Sequence, residues 1–117
     1  MEENNRAKGS RYEDRAAAFL EGIGMTILER NYRCKVGEID IIARDDKTMC
    51  FVEVKFRNSL KSGFPAEAVG VRKQQRILRT AQWYMKEHHL WGGSYRFDVV
   101  SVLNGDITHI KNAFGSF

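Results

Sequence analysis

Two adjacent apolar segments with charges inside them constrain the fold of this chain more than any other feature. Residues 38–44 read Glu-Ile-Asp-Ile-Ile-Ala-Arg, and residues 48–57 read Thr-Met-Cys-Phe-Val-Glu-Val-Lys-Phe-Arg. Both have the composition of β-strands, and only the polar residues 45–47 separate them, so we expect an antiparallel hairpin. Because apolar residues flank the charges, these strands are predicted to be central and mostly buried, where a charge needs a partner or a metal.

Alternation of side chains along a strand predicts which residues share a face. It places four apolar residues toward the core: Ile39, Ile41, Val52 and Val54. The opposite face then carries Asp40, Glu53 and Lys55, with Glu38 at its end. Neighbouring carboxylates repel each other and raise each other's pKa, and a hard divalent cation relieves that repulsion.

This cluster therefore predicts a site for Mg²⁺ or Mn²⁺. Asp40 and Glu53 would supply carboxylate oxygens, the carbonyl of Val54 a further ligand, and Lys55 a positive charge for an attacking water or a phosphate. The alternative is a solvated sheet face on which the same charges form cross-strand ion pairs.

The remaining elements predict an α/β fold in which helices flank a mixed sheet. Residues 1–9 are predicted to form a flexible tail, and residues 10–117 a single domain. A helix should begin at Ser10 and end near Gly22 and Gly24, and a second should run from Pro65 to about His89. Further strands are predicted at 25–33, 95–103 and 106–112, the last two joined by an Asn104-Gly105 turn.

Composition and charge favour a particular class of partner. The 117 residues carry a formal net charge of +4, and no apolar stretch is long enough to cross a bilayer. We expect no membrane partner, and a polyanion such as a nucleic acid suits the positive charge. The polar N-terminus does not resemble a signal peptide, and two isolated cysteines, Cys34 and Cys50, fit a reducing compartment, so a cytoplasmic protein is expected.

Basic residues around the second helix are candidates for contacts with a nucleic-acid backbone. They are Arg57, Lys61, Arg72, Lys73 and Arg76. The alternative is an ordinary solvated helix face.

Other polar residues have weaker predictions. Glu13 is either the acidic partner in a capping box with Ser10 or a member of the site. Glu38 either assists the metal or is an exposed charge at a strand end. Asp98, inside an apolar strand, is expected to have a structural role, and His88, His89 and His109 are expected on the surface. Trp83, Tyr84 and Trp91 are expected in the core or a dimer contact.

Taken together, these segments resemble a known family. Gly37-Glu38-Ile39-Asp40 followed by Phe51-Val52-Glu53-Val54-Lys55 is similar to the signature of the PD-(D/E)XK nuclease superfamily. More narrowly, the chain resembles the YraN-like endonucleases, which are similar to archaeal Holliday junction resolvases. The likeness extends from Gly9 to about Val102 and includes Arg30-Asn31-Tyr32-Arg33 and Arg96-Phe97-Asp98-Val99-Val100.

The resemblance implies a restriction-endonuclease-like αβββαβ core and roles for four residues. Asp40 and Glu53 match metal ligands, Lys55 matches the catalytic lysine, and Glu13 matches an extra acidic residue of resolvase-like members. Ile39 stands where the superfamily usually has a proline.

The function expected from these features is metal-dependent endonucleolytic hydrolysis, with DNA favoured over RNA and branched or structured DNA as the substrate. The alternative is a DNA-binding module with a vestigial nuclease site. Because one short chain has one site, cutting two strands would need two copies, and a homodimer is expected.

Overall fold

A computed structural model describes residues 5–57, 69–90 and 92–115, without the side chains of residues 5–10 and 57. Within this part the elements are α1 (Asn5–Gly22), β1 (Thr26–Cys34), β2 (Gly37–Asp45), β3 (Thr48–Arg57), α2 (Val71–Glu87), β4 (Tyr95–Leu103) and β5 (Asp106–Phe114). The αβββαβ order is therefore present, with one further strand. No helix in these ranges is long and apolar enough to span a membrane.

The five strands form one mixed sheet in the order β1-β2-β3-β4-β5. Neighbours are antiparallel except for β3 and β4, which pair in parallel from Met49–Tyr95 to Arg57–Leu103. A parallel pair needs a crossover, and α2 lies in that connection. The arrangement is a mixed α/β fold compatible with a restriction-endonuclease-like core.

Both faces of the sheet are buried, one under each helix. On the α1 side, Ala16, Ala17 and Leu20 pack on a cluster that includes Ile41 and Val52. On the α2 side, the helix residues Ile77, Ala81, Tyr84 and Met85 pack on Ile39, Ile42, Phe51, Phe97 and Val99. The central strand β3 thus alternates between two cores, which explains why its sequence is apolar on both faces.

Several predicted boundaries are confirmed, those of β1, β2 and β5 differ by one or two residues, and the predicted starts of both helices are wrong. The predicted hairpin, with β3 at 48–57, and β4 at 95–103 are confirmed. Helix α1 begins at Asn5, so residues 5–9 are helical and Ser10 is not an N-cap. Helix α2 begins at Val71, because Gly70 before it is extended, with φ −70° and ψ 164°. Pro65, the predicted start, lies outside the described residues.

The predicted sharing of a face by Ile39 and Ile41 is wrong. Ile39 belongs to the core under α2 and Ile41 to the core under α1. Between the pairs Arg30–Ile41 and Tyr32–Ile39, residue Asn31 of β1 has φ 52°, and this left-handed residue interrupts the regular pleat. Asp40 lies at this interruption.

Asp98 has the structural role that was expected, and His109 is not a surface residue. Asp98 is fully buried at a register shift in β4, where it accepts hydrogen bonds from Arg96 Nε and the Asn112 amide. Nε2 of His109 lies 2.8 Å from its Oδ2, and the His109 side chain is 6% exposed. These contacts tie β5 to β4.

The other histidines and the large aromatic residues of α2 differ in exposure. His88 and His89 are exposed, and Tyr84 is a core residue. Trp83 is half-buried against the core under α2, and Trp91 lies outside the described residues.

Candidate functional site

The candidate site lies where β2 and β3 separate. Pairing between these strands ends at Ile41–Val52, one residue before Asp40 and Glu53. Beyond that point the amide nitrogen of Val54 donates a 2.8 Å hydrogen bond to Oδ2 of Asp40. The Asp40 side chain therefore replaces the backbone acceptor that Val54 would have in a continuous ladder. This bond holds Asp40 beside the segment that carries Glu53 and Lys55.

Glu53 is the buried charge of the site. Its side chain projects to the α2 side and the residue is only 6% exposed. Lys73 Nζ, from the first turns of α2, lies 2.6 Å from its Oε1, and Lys55 Nζ lies 3.7 Å from the same atom. Two ammonium groups thus surround one carboxylate oxygen, which supplies the partners that a buried charge requires.

Within the described ranges, the carboxylate of Asp40 forms no ion pair, although the charge of Lys73 acts on it. Burial, and then the negative charge of Glu53, raise the pKa of Asp40 to about 7, although the Val54 hydrogen bond acts in the opposite direction. A carboxyl group with this pKa is partly protonated near neutral pH, so the site has a deficit of positive charge around Asp40.

The pKa values of the two lysines in the site shift in opposite directions. Burial, and then the proximity of Lys73, lower the pKa of Lys55. Burial would also lower the pKa of Lys73, but the hydrogen bond and charge of Glu53 outweigh it and raise this pKa. Lys73 is therefore the committed partner of Glu53, while Lys55 is the lysine that loses its proton more readily than usual.

Glu13 approaches the same opening from α1. It lies in the interior of the helix, well beyond the first turn, so the capping-box alternative is wrong. Burial raises its pKa, and the charges of Asp14, Glu38 and Glu53 act in the same direction against that of Arg30. Its Oε1 is a buried oxygen that has no hydrogen-bond partner among the residues that the structure describes.

These oxygens suit a hard divalent cation. Asp40 with its raised pKa, Glu53, and the unpartnered Oε1 of Glu13 are all carboxylate groups, the ligand chemistry that Mg²⁺ and Mn²⁺ prefer. Among the described residues, no three Asp, Glu, His or Cys side chains converge closely enough to hold one ion. An ion at Asp40 and Glu53 would have only these one or two carboxylates as side-chain ligands, and water and phosphate oxygens would have to complete its coordination, as is usual for Mg²⁺.

A basic groove adjoins the site between α2 and the β1–β2 turn. It has a volume of about 770 Å³, and its lining includes Arg33, Glu38, Arg72, Lys73 and Arg76. The floor is formed where Gly37 passes close to α2: a Cβ at Gly37 would lie 2.7 Å from Thr80 Oγ1 and 3.0 Å from Arg76 Cγ. Only glycine permits this approach, which sets the position of the turn leading to Asp40.

The structure places the remaining predicted residues as follows. Arg72 and Arg76 are exposed along the groove. Arg57 ends β3, but its side chain and the whole of Lys61 lie outside the described residues. Glu38 is exposed and pairs with Arg33 at 3.1 Å, as expected for a charge at a strand end.

Two features of this site were missed in the sequence. One is Arg33. Its position near the end of β1, beside the turn that leads to Gly37, could have indicated that it lines the groove. The other is the Lys73–Glu53 pair, for which the sequence has no signal because it depends on how α2 docks.

The fold and site define a small mixed α/β protein with a charged, half-buried site at a break in its sheet. The chain belongs to the uncharacterised protein family UPF0102, which it matches over residues 12–102. The YraN-like resemblance is thereby confirmed.

Curated relatives are similar over almost their whole length, and each is described only as a UPF0102 protein. The relative from Persephonella marina is 45% identical, with 92% of each chain covered. The one from Caldicellulosiruptor saccharolyticus is 45% identical over 95% of this chain and 99% of its own. The relative from Syntrophotalea carbinolica is 48% identical over 90% of this chain and 86% of its own.

Proposed function

We propose that this protein is a metal-dependent endonuclease of the PD-(D/E)XK type that hydrolyses phosphodiester bonds in DNA. The observation that carries the proposal is the hydrogen bond from the Val54 amide to Asp40. It brings Asp40, Glu53 and Lys55 together at the break between β2 and β3, although Asp40 does not follow the regular pleat. One buried and one half-buried carboxylate with a lysine beside them, next to a basic groove, match what phosphodiester hydrolysis needs.

The chain's residues have separate parts in this reaction. Asp40 and Glu53 would hold Mg²⁺ or Mn²⁺, with the Val54 carbonyl as a further ligand, and Glu13 would bind a water of the ion through Oε1. When bound, the ion polarises the scissile phosphate and lowers the pKa of a coordinated water.

Lys55 acts on the water that attacks phosphorus. Its amine, 3.7 Å from Glu53 Oε1, would position that water or neutralise the charge that develops on the phosphate. In the balanced reaction a P–O bond forms to the water oxygen and the P–O bond to the leaving sugar oxygen breaks. The attacking water loses one proton to solvent water and the leaving oxygen takes one up from solvent water, so that hydrolysis consumes one water molecule and yields a phosphate monoester and a hydroxyl group.

The groove binds the substrate backbone. Arg72 and Arg76 present positive charge along its wall, and Lys73, which also lines it, contacts Glu53. Contacts to phosphates carry no sequence information, so binding should be sensitive to salt and largely independent of sequence.

The experiment is a cleavage assay on branched, nicked and linear DNA, and on RNA of the same sequence, with Mg²⁺, Mn²⁺ or EDTA. We expect cleavage that needs a divalent cation and that is lost in Asp40→Ala and Lys55→Ala. A matched control is Lys86→Ala, an exposed lysine in the last turn of α2. Cleavage that survives both site variants would overturn the assignment.

A second candidate is a DNA-binding module with a vestigial site. The observation in its favour is the 2.6 Å contact of Lys73 with Glu53, which puts an ammonium where a cation would bind. It predicts DNA binding through the groove but no Mn²⁺ binding that depends on Asp40 and Glu53. Calorimetry with Mn²⁺ separates the two candidates.

We also propose that the protein works in the cytoplasm.

A separate proposal is that two copies act together on a branched or duplex substrate. The support is that one chain has one site, whereas such a substrate has two strands to cut. Sedimentation of the DNA-free and DNA-bound protein tests this. A single copy per DNA at saturating protein would contradict it.

A further inference from the structure

We infer that Lys73 is an exchangeable counter-ion: it neutralises Glu53 when no metal is bound, and a divalent cation releases it to a phosphate of the nucleic acid. The inference rests on the proposed function, because it concerns the metal and the substrate of the same site. It assigns Lys73 two alternative partners, whereas the sequence suggested only a backbone contact.

The first step is the geometry of the pair. Lys73 Nζ lies 2.6 Å from Glu53 Oε1, which is the distance of a strong charge-assisted hydrogen bond. The Glu53 side chain is 7% exposed. The lone pair of Oε1 that accepts from Lys73 is not available to a cation, and an ammonium 2.6 Å from Oε1 repels a divalent ion at either oxygen of the same carboxylate. Metal binding at Glu53 therefore favours the movement of Lys73 away from it.

Lys73 is free to move away from Glu53. Its side chain is 44% exposed, compared with 28% for Lys55, so the long aliphatic stem can swing without disturbing the core. Lys55 also remains 3.7 Å from the same oxygen. Release of Lys73 therefore leaves the site with one lysine, and the incoming cation replaces the lost charge.

The third step is the destination of Lys73. It lines the same groove as Arg72 and Arg76, on the α2 side. In that groove the released ammonium faces the region where the proposed phosphates lie, and a lysine is a suitable point charge for a phosphate. Metal binding at Glu53 would thus add one positive charge to the protein surface that binds the nucleic acid. The metal and the nucleic acid would therefore each increase the affinity for the other.

The first measurement is calorimetric titration of Mn²⁺ into the full chain in the absence of DNA. Lys73→Gln should bind Mn²⁺ about three- to fivefold more tightly than the unchanged protein, because the competing ammonium is gone. Lys73→Arg, which keeps the ion pair, should not, and neither should Lys86→Gln, which removes an equal charge from the far end of α2.

The second measurement follows Lys73 itself in the unchanged protein. In a Mg²⁺ titration monitored by NMR of lysine side-chain nitrogens, the Lys73 Nζ signal should shift with the same midpoint as metal binding, while the Lys86 signal stays. This readout keeps the inference testable even where Lys73→Gln fails to fold.

The third measurement is the salt dependence of DNA affinity. With Ca²⁺ present, Lys73→Gln should lower the slope of log affinity against log salt by about 1, and in EDTA it should leave the slope unchanged. Lys86→Gln should change neither slope.

The outcomes separate the two proposals. Equal Mn²⁺ affinity of the unchanged protein and Lys73→Gln, with a Lys73 signal that does not respond to Mg²⁺, overturns the exchange and leaves the nuclease proposal intact. Absence of metal binding in every variant overturns both. Mn²⁺ binding by Lys73→Gln alone also overturns the exchange, because it shows that Lys73 blocks the site and is not displaced by a cation.

Discussion

The amide nitrogen of Val54 donates a hydrogen bond of 2.8 Å to Oδ2 of Asp40, across the gap where their strands cease to pair. Val54 lies between Glu53 and Lys55, so the Asp40 side chain of β2 fixes the backbone segment that carries these other two site residues. The site is therefore positioned by one of its own members, and substitutions of Asp40 should separate its structural role from its electrostatic one.

In the metal-free protein, Asp40→Asn should be more stable than Asp40→Ala. Asparagine keeps an acceptor oxygen for Val54 and removes a buried charge that Glu53 repels, so the free energy of unfolding at pH 8 should rise. Alanine leaves the Val54 amide without its acceptor and should be less stable than Asp40→Asn by about 1–3 kcal/mol. Urea denaturation in EDTA measures both. Equal stability of the two variants would show that the hydrogen bond contributes nothing.

Stability of the metal-free protein should decrease as pH rises from about 4 to about 7. The pKa of Asp40 is about 7 in the folded protein and near its ordinary value of 3.8 in the unfolded chain. Within this window the folded state binds a proton that the unfolded state has lost, so the free energy of unfolding falls with increasing pH. The contribution should be about 1–3 kcal/mol. It should vanish in Asp40→Asn, and a variant that retains the full decrease would contradict the assignment.

Asp98 should contribute stability with the opposite pH dependence. Burial would raise its pKa, but hydrogen bonds from His109, Arg96 and the Asn112 amide outweigh burial and lower it. Its contribution is therefore present above the ordinary value and is lost as pH falls through the lowered one. Asp98→Ala should cost about 3 kcal/mol at pH 7, because Arg96, His109 and the Asn112 amide lose their acceptor.

The matched control for Asp98 is Asp106→Ala, an exposed aspartate at the start of β5. It should change the free energy of unfolding by about 0.5 kcal/mol or less. If both variants lose similar amounts, then Asp98 does not hold β5 to β4.

Gly37→Ala should destabilise the protein and disturb the site. The new Cβ would lie 2.7 Å from Thr80 Oγ1, so α2 or the β1–β2 turn must shift, at a cost of about 1–3 kcal/mol. Gly22→Ala is the control, because a Cβ there meets nothing within 4 Å. Thermal unfolding compares them, and a Gly37→Ala protein as stable as Gly22→Ala would contradict the close packing.

The groove should contribute to DNA binding through charge alone. Arg72→Gln and Arg76→Gln should each lower the slope of log affinity against log salt by about 1, on every DNA sequence. Lys86→Gln should not. Fluorescence anisotropy at several salt concentrations in EDTA measures these slopes. Losses that depend on DNA sequence would indicate base contacts in place of phosphate contacts.

Much of the hairpin was predictable because its periodicity is strong. Glu53 and Lys55 share a face, and the bounds of β3 and β4 were predicted to the residue. These strands are buried on both faces, so burial and β-propensity agree along their whole length. The two-residue turn Asn104-Gly105 also followed from its sequence, since both residues have positive φ.

What could not be predicted depends on tertiary contacts. Asp40 reaches the site because the pleat is interrupted beside Asn31, and asparagine with positive φ is not recognisable in a strand from one sequence. Helix α2 begins at Val71 because Gly70 is extended, although Pro65 offers the more obvious start. Lys73 meets Glu53 only after α2 docks on the sheet, so its local sequence looks like any basic helix face.

The most direct test of the proposed activity is single-turnover cleavage of an end-labelled branched DNA with Mn²⁺, in parallel preparations of the unchanged protein, Glu53→Gln and Lys86→Gln. Glu53→Gln keeps the size of the side chain and removes its charge, so it separates metal binding from folding, which circular dichroism verifies. The account predicts that the unchanged protein and Lys86→Gln cleave at equal rates and that Glu53→Gln is slower by at least about 100-fold. Equal cleavage by all three preparations, or no cleavage by a folded, Mn²⁺-bound protein on any DNA, would contradict it.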